Sequence, residues 1–128
     1  MNFNNVVQAE SIPVLDRNVI SELVGMLGAE GFFGLAQRMF AETEEALASF
    51  TLPQNEAEFI SLKERSHKLA GSAATLGAKR MHQILKALET SCKLSDAEEA
   101  QQALDALPGN WAATKAAMSD PSEIAISA

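Results

Sequence analysis

Few side chains in this 128-residue sequence can do chemistry near neutral pH: two histidines, His67 and His82, and one cysteine, Cys92. Imidazole is the side chain whose ordinary pKa, about 6.5, leaves a usable fraction of neutral nucleophile. The two histidines differ in their neighbours. At helical spacing, His67 is flanked by Ile60, Lys63, Glu64, Ala70, Gly71 and Ala74, so almost no bulk stands on its C-terminal side. Gly71, one turn along, costs a helix about 1 kcal/mol relative to alanine and calls for a reason. Either it admits another helix of the same fold at close range, or it clears space beside the imidazole for another protein. His82, in Lys79-Arg80-Met81-His82, lacks that small-residue setting and reads as a surface or partly packed histidine. Cys92 continues an apolar stripe and reads as a small buried hydrophobe. No Cys/His cluster has zinc-ligand spacing, and no P-loop or glycine-rich nucleotide motif occurs. No metal and no cofactor are expected on this chain.

Charge singles out the same region. The net charge is −7, yet residues 55–93 carry seven basic and four acidic side chains, net +3. Residues 1–54 carry two basic and seven acidic, and residues 94–128 one basic and six acidic. An acidic protein thus gathers its positive charge around His67. The overall balance argues against nucleic acid. No apolar run is expected to span a membrane, and Met1 to Glu10 lacks the basic region and apolar core of a signal peptide, so a cytoplasmic protein is expected.

The elements that must position these residues are helices. Tyrosine is absent, good helix formers dominate, and no stretch alternates long enough for a half-buried strand. A first segment runs from the Asp16 cap to Leu27 and ends at Gly28. A second runs from Glu30 to Phe50, and Pro53 and Asn55 mark the turn after it. A third runs from Glu56 to Leu76 with Gly77 as its stop. A fourth covers Ala78 to Lys93, and a fifth starts near Asp96, where Pro108 should kink or restart it. Such segments predict an all-α, antiparallel four-helix bundle with an additional short N-terminal helix lying as a lid. Residues 1–128 are expected to form one domain with its core at about 14–118. The N-terminal segment and the tail, 119–128, should be loosely attached. On the third helix Leu62, Leu69, Ala73 and Leu76 make the apolar stripe, and His67 lies more than about 100° around from it, facing solvent.

The stretch Ser66-His67-Lys68-Leu69-Ala70-Gly71-Ser72-Ala73-Ala74-Thr75-Leu76-Gly77-Ala78, followed by Leu88-Glu89, resembles the signature of histidine-containing phosphotransfer (HPt) domains. In that family a His-x-x-Lys-Gly core opens a small-residue run ending in Leu-Gly, and the next helix carries a Leu-Glu pair. A weaker resemblance extends over residues 16–118, with Leu15-Asp16 and Met39-Phe40 fitting as well. It implies a four-helix bundle whose exposed histidine, here His67, carries a phosphoryl group between receiver-domain aspartates. Gly71 falls on the glycine that lets a receiver approach. The family's lysine three residues after the histidine is Ala70 here, so Lys63 and Lys68 are the nearest compensating charges. Ser72 is a candidate hydroxyl donor, and Glu64 and Ala74 complete the phosphate-supporting or docking set. Ile60 and Ala78 should add to the docking face, with Arg80 on its basic rim.

The implied function is that of a phosphorelay intermediate in two-component signalling, a phosphocarrier and not an enzyme. Its partners would be response-regulator receiver domains and a hybrid or sensor histidine kinase, with Mg²⁺ and the acidic pocket supplied by the receiver. The alternative, which Ala70 keeps open, is an adaptor that binds such domains without phosphotransfer. A helical metal-dependent hydrolase has almost no support.

Overall fold

In the computed structural model, residues 5–127 are described, and their regular structure is entirely α-helical. The six helices are α1 (Asn5–Glu10), α2 (Arg17–Ala48), α3 (Glu56–Thr75), α4 (Lys79–Lys93), α5 (Ala97–Ser119) and α6 (Pro121–Ser127). The four long ones form the bundle. Side-chain caps start three of them: Asp16 accepts from the Asn18 and Val19 amides, Asn55 from Glu58, and Asp96 from Glu99. Each satisfies an amide that the first helical turn leaves without a partner.

α2 contains the two segments expected on either side of Gly28. That residue has φ 74 and ψ 168, so the helix breaks there within one continuous element. Only glycine takes such a backbone without strain. The break also bears on the expectation that no apolar run reaches membrane-spanning length. By length and composition alone α2 does reach it, with a mean hydropathy of 1.4 over its most apolar window. Gly28 divides the helix, however, and Ile20, Phe32 and Ala36 are packed in the bundle core. Around the break Met26 and Leu27 remain exposed.

α3 and α4 form the tightest pair. They are antiparallel, since the imidazole of His82 meets Ala70 while Glu89, further along α4, meets the earlier His67. Gly77 makes the turn between them, with φ 81 and the Ala78 amide bonding back to the Ala73 carbonyl at 2.8 Å. This is a Schellman end. A side chain on Gly77 would strike Ile20 Cγ1 at 2.8 Å, and the Gly77 carbonyl accepts from the Asp16 amide. The start of α2 is thereby laid across the end of α3.

Three expectations differ from what is found. α5 continues through Pro108 without restarting, because Ala103, Leu107, Trp111, Thr114 and Met118 stay buried on both sides of it. Packing outweighs the lost amide. The N-terminal segment is not loose: α1 lies on α4 and α5 with Val6 and Ala9 buried, and Glu10 takes a hydrogen bond from Asn110. That expectation also covered residues 1–4, which lie outside the described residues. The tail folds as α6 against α2 and α5, burying Ile124, while Arg17 binds the Glu123 carbonyl and carboxylate.

Candidate functional site

His67 is carried by α3, whose opposite face is committed to the core through Leu62, Ser66, Leu69, Ala70 and Ala73. Its side chain is 68% exposed. From α4, packing of Ile84, Leu85, Leu88 and Cys92 into the core leaves Glu89 at the seam facing α3. There Glu89 Oε2 lies 2.8 Å from His67 Nδ1, and its Oε1 lies 3.1 Å from Lys86 Nζ. Burial works to raise the pKa of this carboxyl. The Lys86 ammonium at Oε1 and the His67 bond at Oε2 outweigh it and hold the group below the ordinary carboxylate range. An ionised carboxylate can only accept, so Nδ1 carries the proton. In the neutral ring Nε2 then bears the lone pair, and among the described residues it has no partner. The arrangement can present one nucleophilic nitrogen with an anion behind the other.

Gly71, exposed and one turn from His67, meets no other helix: a Cβ built there has nothing within 4 Å. The internal packing explanation for this glycine therefore fails. Gly71, Ser72 and Thr75 line an open groove of about 470 Å³ opposite Leu35, Arg38, Met39 and Glu42 of α2. The Thr75 hydroxyl bonds back to the Gly71 carbonyl, and Ser72 makes a long contact to that of Lys68.

The other expected site residues divide. Glu64, Lys68, Ala74 and Ile60 are exposed and Lys63 half-buried. Lys68 lies on the α2–α3 side, in a second groove with Glu42, Glu45 and Ser72. Ala70 does not belong to the surface: it is 1% exposed, and its carbonyl accepts from His82 Nδ1 at 2.8 Å. Ala78 is fully buried. Arg80 does not form a rim, because its guanidinium is turned to the Ile12 carbonyl at 2.7 Å. His82 is half-buried, as a partly packed histidine should be. Burial pushes the Cys92 thiol up to about 11, so it stays protonated and unreactive.

Sequence reasoning missed Glu89 as the partner of His67, although Leu88-Glu89 was legible as a motif, and it missed Lys86. It also missed Arg38, whose place in the groove follows only from the pairing of α2 with α3. Among the described residues, no group of three or more His, Cys, Asp or Glu side chains could hold a metal.

A family model described as Hpt domain matches residues 25–117. The phosphorelay protein LuxU of Vibrio harveyi is 29% identical over 86 residues, covering 67% of this chain and 75% of LuxU. No solved structure matches significantly. The family match takes in most of the chain, including both helices that join His67 to Glu89, and on that extent the chain belongs to the Hpt domain family.

Proposed function

We propose that this protein is a phosphorelay intermediate that carries a phosphoryl group on His67 Nε2. The observation that supports it best is the His67–Glu89 bond, which leaves Nε2 as the free nucleophile on an exposed ring. The Nε2 lone pair attacks the phosphorus of a receiver-domain aspartyl phosphate. The P–N bond forms as the P–O bond to the aspartate breaks, and the aspartate leaves with the electron pair. The proton stays on Nδ1, so the ring becomes cationic, and the Glu89 carboxylate offsets that charge. Transfer to a second receiver reverses the step. The chain uses no nucleotide of its own. Mg²⁺ and the acidic pocket belong to the receiver, and a hybrid or sensor kinase feeds the relay.

The docking face runs over Ile60, Gly71 and Ala74, with Lys63, Lys68 and Arg38 as basic residues that steer an acidic partner. The pairing of an open Nε2 with an anion behind Nδ1 supports a carrier over an adaptor that only binds. Incubation with a phosphorylated receiver domain should place acid-labile, base-stable phosphate on the chain. No label on the wild-type protein would leave the adaptor.

A further inference from the structure

We propose that Lys86 is a positioning residue for His67, acting through Glu89; the inference rests on the reading of His67 as the phosphoacceptor. The lysine and the imidazole occupy opposite oxygens of one carboxylate, Oε1 at 3.1 Å and Oε2 at 2.8 Å. Lys86 stands one turn before Glu89 on α4, so the helix itself sets their approach. Among the described residues Oε1 is buried with no hydrogen-bond partner, so the Lys86 ammonium acts on it as a charge. That attraction holds the carboxylate, and with it the imidazole, against turning Nε2 away.

Among the described residues no other cation is arranged to do this. At position 70 of α3 stands a buried alanine whose carbonyl accepts from His82. Lys68 faces the α2–α3 groove, and Arg65 is engaged with Ser49 and the Phe50 ring. Among the described residues, Lys86 is the lysine or arginine ion-paired to the carboxylate that holds His67. The charges acting on Glu89 are those of Lys86 on its own helix and His67 on α3. α1 meets α4 beside Lys86 itself, in a groove to which it brings the uncharged Gln8 and Ala9; its Glu10 is bonded to Asn110, and α5 adds no charge at Glu89.

Removing the lysine has a definite sign. Burial of Glu89 then goes less opposed, so its carboxyl takes a proton at a higher pH than in the wild type. Where Glu89 takes that proton, the Nδ1–H loses its anionic acceptor, and the ring is no longer held with Nε2 outward. The acid limb of phosphoryl acceptance must therefore move to higher pH.

The test uses the full chain and a small phosphodonor, phosphoramidate, which needs no docking. Initial labelling rates between about pH 5 and 8, the window in which imidazoles titrate, are compared for wild type, Lys86→Met, Lys86→Arg and Glu89→Gln. The ¹⁵N shifts of the His67 ring report its tautomer in the same proteins without phosphate. Lys86→Met should label about two- to fivefold more slowly at the acid end, the effect of one partly exposed ion pair. Its acid limb should shift upward, and Lys86→Arg should restore both. In a Glu89→Gln background Lys86→Met should change nothing further. A wild-type rate, pH profile and tautomer in Lys86→Met, or an effect that persists without Glu89, overturns the inference. Unlabelled wild type, or label that survives His67→Gln, overturns the reading of His67 instead, and the tautomer comparison still decides the role of Lys86.

Discussion

The two imidazoles lie along one seam, between α3 and α4, and each holds Nδ1 2.8 Å from an oxygen of the facing helix. Distance alone does not distinguish them. His82 donates to the main-chain carbonyl of Ala70 and is half-buried, so it clamps α4 to α3. His67 donates to a carboxylate with its own lysine, and most of the ring is in solvent. One contact is a neutral hydrogen bond that closes a packed interface. The other is charge-assisted, and it leaves the lone pair on the second, open nitrogen. On the proposed function, what separates a structural histidine from the phosphoacceptor is the charge of its acceptor and the access to its far edge.

The sharpest way to break the comparison is to remove each ring in turn. His67→Gln should abolish acceptance from both a receiver and a small donor, with the melting temperature nearly unchanged, since the lost bond lies at an exposed side chain. His82→Gln should label as wild type but lose about 1 kcal/mol of stability, the net worth of one part-buried hydrogen bond. Phosphohistidine analysis and thermal denaturation of the two variants read the outcome. Label lost from His82→Gln while His67 is intact would reverse the assignment.

A second test asks whether the open side of His67 is a docking surface. Gly71→Gln should block transfer from a phosphorylated receiver while small-donor labelling persists, because the new side chain fills space that nothing else occupies. The helix itself should gain up to about 1 kcal/mol, as Gln is the better helix former. The ratio of the two labelling rates isolates docking from chemistry. An unchanged ratio would show that a receiver does not approach over Gly71.

What the sequence made legible follows the range of its signals. Helical periodicity gave α3, α4 and α5 and the face of His67, because a long stripe such as Leu62, Leu69, Ala73 and Leu76 averages over local noise. Gly28 and Gly77 marked a break and a stop because both need positive φ. α1 and α6 escaped, since helices of six and seven residues offer too few apolar positions to show a period. Glu89 was visible as part of a motif, but its place against His67 depends on the register of α4 against α3. No local pattern encodes that register. The same gap put Ala70, Ala78 and Arg80 on the surface, when packing between α3, α4 and the segment before α2 covers the first two and engages the third.

Ala70 provides a third, smaller test. Sequence resemblance alone suggests that a lysine at this position would help hold a phosphoryl group. In the structure the site is 1% exposed, and its carbonyl accepts from His82. Ala70→Lys should therefore displace His82 and cost about 1–3 kcal/mol, as overfilled cores do. Denaturant unfolding measures that loss, and labelling should be no faster than in the wild type. A stable, faster variant would mean that α3 and α4 part easily at the His82 end and that the seam is not the clamp described.

The smallest effect lies in the acid dependence of stability, and it probes the carboxylate directly. Burial works to raise the folded-state pKa of Glu89, but the Lys86 ammonium and the His67 bond depress it overall. A depressed carboxyl contributes stability that is fully present above its unfolded pKa and is lost as pH falls through the folded value. Between neutral pH and the ordinary glutamate range that contribution should stay constant, and it should fade only below that range. Glu89→Gln cannot titrate, so its stability relative to wild type should be lower at neutral pH and should converge on the wild-type value in acid. Glu44 and Asp120 are also depressed, but they titrate in both proteins and cancel in the difference. The measurement is the difference in unfolding free energy between the two proteins, followed from neutral pH downward. The difference should be below about 1 kcal/mol at its largest, the range of a partly exposed pair. A gap that widens in acid would mean that Glu89 is held protonated in the fold, and that His67 lacks the anion its Nδ1 proton requires.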